Sequence, residues 1–126
     1  MADNVVSAFG NSVISDYSKL LKDFGVESSS KVIFPSPLTI MRRGIVFGHR
    51  DIKPVLDAMK LGKPFAVMSG IKPSNFFHLG SKMVVDEIVY FQKHGGLAYY
   101  AFADLESLVD NGLSFNESRE FAHDNL

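Results

Sequence analysis

At 126 residues the chain is one domain's worth of polypeptide, and 46% hydrophobic with 21% charged residues is an ordinary globular composition. It holds no cysteine, which excludes a disulfide framework and a thiolate metal site, and no apolar run approaches the ~20 residues of a membrane span. The net charge of −1 hides an asymmetry: residues 42–93 carry nine Lys/Arg against four Asp/Glu, and residues 94–126 one against six. A basic middle suited to phosphate therefore precedes an acidic end.

In chain order, Met1 to Ser15 is small and polar with no clear period. Ser15 or Asp16 caps an expected helix over Tyr17 to Phe24, with Leu20, Leu21 and Phe24 on one face and Gly25 as terminator. Glu27 to Lys31 reads as a polar connection, and Val32 to Phe34 as a short strand closed by Pro35-Ser36-Pro37. Leu38 to Arg43 suits a helical turn, whereas Gly44 to Gly48 is apolar and of ambiguous type. Ile52 to Leu61 is an amphipathic helix with Asp51 as cap, Pro54 tolerated in its first turn, and Val55, Leu56 and Met59 as the buried stripe.

The central stretch, residues 64–106, organises the rest. Pro64 to Ser69 is an apolar run that stops at Gly70, as a buried parallel strand does. Gly70 to Phe76 is a loop rich in Gly, Pro, Ser and Asn. From His78, apolar Leu79, Met83, Val84, Ile88 and Phe91 recur at helical spacing until Gly95-Gly96, and Leu97 to Ala103 is a second apolar run. The pattern is a β-α-β unit, whose parallel strands end at one sheet edge where ligands bind. That places the Ser69–His78 loop and the Asp104/Glu106 pair at one crevice. Asp110-Asn111-Gly112 then reads as a turn, and Ser114 with Glu117 as a capping box for a last helix that is still running where the sequence stops.

Several motifs are weighed and set aside. His49-Arg50-Asp51-Ile52-Lys53-Pro54 and Asp23-Phe24-Gly25 imitate protein-kinase signatures, but they stand in the wrong order and no glycine-rich nucleotide loop accompanies them. No Gly-x-x-x-x-Gly-Lys loop is present. The histidines His49, His78, His94 and His123 lack metal-ligand spacing, so no protein-held metal is expected. His78-Leu79-Gly80-Ser81 is the informative set. Gly80 lets a nucleotide approach a helix start, Ser81 offers a hydroxyl, and His78 a donor for charge on a phosphate. The competing account is a capped helix with a surface histidine; for Asp104 and Glu106 it is a helix N-terminus favoured by acidic residues.

Three stretches in order resemble class I aminoacyl-tRNA synthetases, specifically the tryptophanyl family of the archaeal/eukaryotic branch. They are Asp16-Tyr17 through Lys19-Leu20-Leu21 to Phe24-Gly25, Met41-Arg42-Arg43-Gly44 through Phe47 to His49-Arg50-Asp51, and Ser69-Gly70-Ile71-Lys72-Pro73-Ser74 with His78-Leu79-Gly80-Ser81, the last similar to the family's HIGH motif. Ala103-Asp104-Leu105-Glu106 is similar to the family's stretch after the second strand. The resemblance implies an α/β fold, a Rossmann-like parallel sheet with flanking helices of which only the first half is present. It divides the chain into a helical extension, 1–62, and the start of the Rossmann-like unit, 63–126.

The same resemblance implies activation of tryptophan with ATP to tryptophanyl-adenylate and transfer to tRNA(Trp), in the cytoplasm, by an enzyme that is a homodimer at full length. ATP would be met by Ser69, Gly70, Lys72, Pro73, Ser74, His78, Gly80 and Ser81, with Mg2+ carried by the ATP. His78, Gly80 and Ser81 would be the catalytic set. Tryptophan would be met by Met68, Gln92, Asp104 and Glu106, one of the two carboxylates accepting the indole N–H. Ser81 replaces the family's last HIGH histidine, Met68 stands where many members carry Tyr, and Ala101 where some carry a polar tryptophan contact. The KMSKS loop and anticodon-binding domain would lie beyond residue 126, so the chain alone is expected to be a poor catalyst. The alternatives are a tyrosyl-tRNA synthetase, another HIGH-type nucleotidyltransferase, and a non-catalytic tRNA- or protein-binding paralogue.

Overall fold

A computed structural model describes residues 17–126, so the expected cap at Ser15 or Asp16 and the reading of Met1 to Ser15 lie outside the described residues. The chain forms two compact units, one reaching to Ile52 and one of Lys53–Leu126.

In the first unit α1 (Tyr17–Asp23) ends where expected, with Gly25 at φ +59° receiving the chain reversal a side chain would resist. Two expectations fail nearby. The expected strand at Val32 to Phe34 is absent, and the supposed polar connection instead supplies β1 (Glu27–Ser28) and a 3-10 turn, Ser29–Lys31. β1 pairs antiparallel with β2 (Gly48–His49), Glu27 opposite His49 and Ser28 opposite Gly48. The pairing is too short for a period to show, and Gly48 is its only local signal. A Cβ there would meet Leu21 and Val26 at 2.7 Å, so the strand lies against residues that only a glycine lets so close. α2 (Thr39–Arg42) is the predicted helical turn.

The second unit carries the site. α3 (Ile52–Leu61) has the predicted bounds, and Val55, Leu56 and Met59 are half-buried rather than buried. Asp51 is not in the extended conformation an N-cap needs. Its φ is +50°, a left-handed value that Asp tolerates better than most residues.

β3 (Phe65–Ile71) and β4 (Gly96–Phe102) pair in parallel, in register from Phe65 opposite Gly96 to Ile71 opposite Phe102. Between them α4 (Leu79–Lys93) crosses back over the sheet, packing on both strands. Burial alternates strictly along each strand. Phe65, Val67, Ser69 and Ile71 share the half-buried face with Ala98, Tyr100 and Phe102, and among the described residues the most buried large apolar side chains are Ile88 and Tyr90 of α4. Ala66, Met68, Leu97, Tyr99 and Ala101 face the other way and are exposed.

The predicted stop at Gly70 is a misreading. β3 continues through Gly70 and Ile71, because a Cβ at Gly70 would lie 2.6 Å from the Ala101 carbonyl oxygen. That glycine permits a close strand approach and ends nothing. Likewise Asp110-Asn111 is not a turn. α5 (Asp104–Asn111) runs through it and closes on Gly112 at φ +67°. α6 (Phe115–Asp124) has the predicted capping box, with the Ser114 hydroxyl accepting from the Glu117 N–H and the Glu117 carboxylate accepting from Ser114. The helix does not run on to the end of the sequence; it closes at Asn125.

Candidate functional site

The two strands deliver their last residues to one edge, where the Ala103 N–H donates to the Ile71 carbonyl at 3.0 Å and joins the exits of β3 and β4. From there the chain turns through Lys72-Pro73-Ser74, with the Ser74 N–H donating to the Lys72 carbonyl at 2.9 Å and Pro73 fully buried beneath. The Phe76 N–H donates to the Asn75 side-chain oxygen, and α4 then begins.

His78 caps that helix. Its Nδ1 accepts from the Ser81 N–H at 3.2 Å, so in the neutral ring this bond leaves the proton on Nε2. Gly80 makes room for the fold-back, since a Cβ there would lie 3.1 Å from His78 Cε1 and 3.2 Å from Nδ1. Ser81 is 5% exposed, its hydroxyl 3.4 Å from His78 Nδ1. The amides of Leu79 and Gly80, at the start of the helix, have no partner within it, which is the arrangement that attracts phosphate.

These elements enclose a cleft of about 240 Å³. Gly70, Lys72, Ser74, His78, Gly80 and Ser81 line it with Asn75, Phe76, Tyr100 and Asn125. Six of the eight residues expected around a nucleotide are therefore brought together. Of the other two, Pro73 packs beneath the loop and Ser69 stands on the half-buried face of β3 opposite Tyr100. Lys72 enters the cleft already partnered, 3.2 Å from the Asp110 carboxylate of α5.

The second set is not gathered in the same cavity. Asp104 and Glu106 sit at the expected edge, in the first turn of α5, but they do not line the cleft, and Asp104 Oδ1 accepts the neighbouring Leu105 N–H at 2.9 Å. Met68 points to the bare face of the sheet and is 72% exposed. Gln92 belongs to the last turn of α4, roughly 20 Å along the helix from Leu79 at 1.5 Å per residue, and so lies toward the opposite edge. Among the described residues no cluster of three His, Cys, Asp or Glu could hold a metal ion. No helix among them is long and apolar enough to cross a membrane.

Sequence reasoning missed Asn75, Phe76, Tyr100 and Asn125. Tyr100 was recoverable, since it has the strand parity of Ala98 and Phe102 and so belongs to the face α4 covers; burial raises its phenol above the usual value. Asn125 carried no local signal, for it reaches the cleft only through the packing of α6.

Residues 59–125 match the family model described as tRNA synthetases class I (W and Y). The chain belongs to that family. Within this synthetase family it is 42% identical over 120 residues to a tryptophan–tRNA ligase of Methanosarcina acetivorans, covering 94% of this chain and 28% of that protein. It is 44% identical over 128 residues to tryptophan–tRNA ligase 1 of Halobacterium salinarum, covering 99% of this chain and 25% of that one. The fold agrees. A crystal structure of tryptophanyl-tRNA synthetase from Aeropyrum pernix K1 superposes with a TM-score of 0.75 at 38% identity, over 86% of this chain and 31% of that one. The chain thus spans between a quarter and a third of the length of these three relatives.

Proposed function

We propose that this chain supplies the nucleotide-binding part of a tryptophan–tRNA ligase, which activates tryptophan with ATP as tryptophanyl-adenylate and passes the acyl group to tRNA(Trp). The carrying observation is the cleft at the carboxyl ends of β3 and β4, lined by His78, Gly80, Ser81, Lys72 and Ser74. In this reading residues 63–126 are the first half of the Rossmann-like unit, and 1–62 the extension before it. ATP lies over the start of α4. His78, its Nδ1 occupied by the cap, offers Nε2–H to the α-phosphate as charge builds there. Gly80 keeps the backbone open to the nucleotide, and Lys72 and Ser74 meet its phosphates, with Mg2+ brought by the ATP.

Tryptophan occupies the same edge beside α5, where Asp104 or Glu106 accepts the indole N–H. A carboxylate contact of that kind contributes about 1.5–3 kcal/mol and discriminates against amino acids without the donor. Gln92 is left out of this set because of its position at the far end of α4.

The test is tryptophan-dependent ATP–pyrophosphate exchange by the intact protein. Exchange with tryptophan and not tyrosine is the expected result. Exchange with tyrosine alone would overturn the specificity, and absence of ATP binding would overturn the nucleotide site itself.

A further inference from the structure

The segment 75–77, which leads into the His78 cap, makes three consecutive contacts with the end of α6. The Asn75 carbonyl accepts from Asn125 Nδ2 at 3.0 Å. The Phe76 ring meets Phe121 edge-on with centroids 5.3 Å apart. The Phe77 N–H donates to Asp124 Oδ2 at 2.9 Å, a bond to a charged acceptor and so a strong one. Asn125 is 4% exposed, and its second contact, to the Phe121 carbonyl at 2.6 Å, ties the same amide to its own helix. Both contacts are to carbonyl oxygens, so the nitrogen must be the atom facing them and the orientation of the amide is settled.

We infer that the last turn of α6 is a positioning clasp for the nucleotide loop. Asp124 and Asn125 hold residues 75–77 so that Ser74 and His78 already face the nucleotide before it arrives. The inference rests on the nucleotide reading of the cleft. A loop of this composition, Lys-Pro-Ser-Asn-Phe-Phe, forms no ladder of its own, and without the clasp it would have to be ordered at the moment of binding. The contacts lie on the loop's backbone and on one ring, and they leave the side chains of Ser74 and His78 to the ligand. Asp124 is a positioning residue; it touches the loop and acts through it.

Asp124 is exposed, so replacing it removes the bond without opening a cavity. Binding of ATP and of tryptophan is measured separately on the intact protein, together with the melting temperature and hydrogen exchange of the Phe77 amide. Asp124→Ala is expected to weaken ATP binding roughly ten-fold and to release the Phe77 amide to exchange, with tryptophan affinity unchanged and the melting temperature lowered by no more than the ~8 °C that loss of one such bond implies. Asp124→Asn keeps an acceptor oxygen and restores most of the loss. The clasp is overturned if wild-type protein binds ATP and Asp124→Ala binds it equally well. It is also overturned if the affinities for ATP and tryptophan fall together, or if Asp124→Asn is no better than Asp124→Ala. Wild-type protein that binds no ATP overturns the nucleotide reading instead, and this inference with it.

Discussion

Replacing Gly70 by alanine tests the sheet and the cleft together. The added Cβ would sit 2.6 Å from the Ala101 carbonyl oxygen and 3.3 Å from the Ala101 Cβ. Ordinary contacts begin near 3.4 Å, so β3 and β4 must separate by roughly 0.8 Å at that pair. The obstructing atom is backbone, and no side-chain rotation relieves it. Overpacking of this kind costs about 1–3 kcal/mol. In a unit the size of Lys53–Leu126 each kcal/mol moves the melting temperature by about 4–8 °C. Thermal unfolding followed by far-ultraviolet circular dichroism should therefore show Gly70→Ala melting at least ~4 °C below wild type. Met68→Ala, two residues earlier on the same bare face and 72% exposed in the parent, should stay within about 0.5 kcal/mol. A Gly70→Ala protein that melts with the wild type would refute the close strand approach, and with it the account of why β3 runs past its glycine.

Ser114→Ala should lower stability in denaturant titrations by about 1 kcal/mol, because it removes the hydroxyl from the capping box of α6. The bonds from the Ser114 hydroxyl and amide hold the Glu117 carboxyl below its ordinary value. Its stabilisation is accordingly complete at neutral pH and is lost as the pH falls through the lowered folded value, and Glu117→Gln should flatten that acid limb of the stability profile. Burial pushes Glu87 of α4 the other way, above the usual carboxylate range. That contribution is present at low pH and lost as the pH rises through the raised value, so Glu87→Gln should raise the melting temperature at pH 7 and give no gain near pH 4. Lys72→Ala should weaken ATP binding several-fold, whereas Asp110→Asn, which loses only a partly exposed ion pair, should cost under ~1 kcal/mol of stability.

How legible the fold was in the sequence depended on the length of each element and the distance of its partners. α3 and α4 were readable because ten and fifteen residues show several turns of periodicity. β1 and β2, two residues each, show none, and their pairing spans about twenty residues of chain. Gly70 and Asn111 misled for the same reason: both residue types ordinarily punctuate, yet the first lies inside a strand and the second closes a helix from within. At the site, the parallel pairing of the two strands and the His78-Gly80-Ser81 turn follow from local pattern. The separation of Asp104, Glu106, Met68 and Gln92 from the cleft does not. It depends on which strand face α4 covers and on where each residue falls along its helix, and both are settled by packing.

The bonds from residues 75–77 to 121–125 close a ring of about fifty residues. Closure of such a ring is slow relative to the local contacts of a crossover helix with the strands on either side of it. On a growing chain the sheet and its crossover helix can therefore assemble while the mouth above them is still shapeless. The mouth is thus shaped by contacts about fifty residues apart along the chain, against about thirty between the paired positions of β3 and β4.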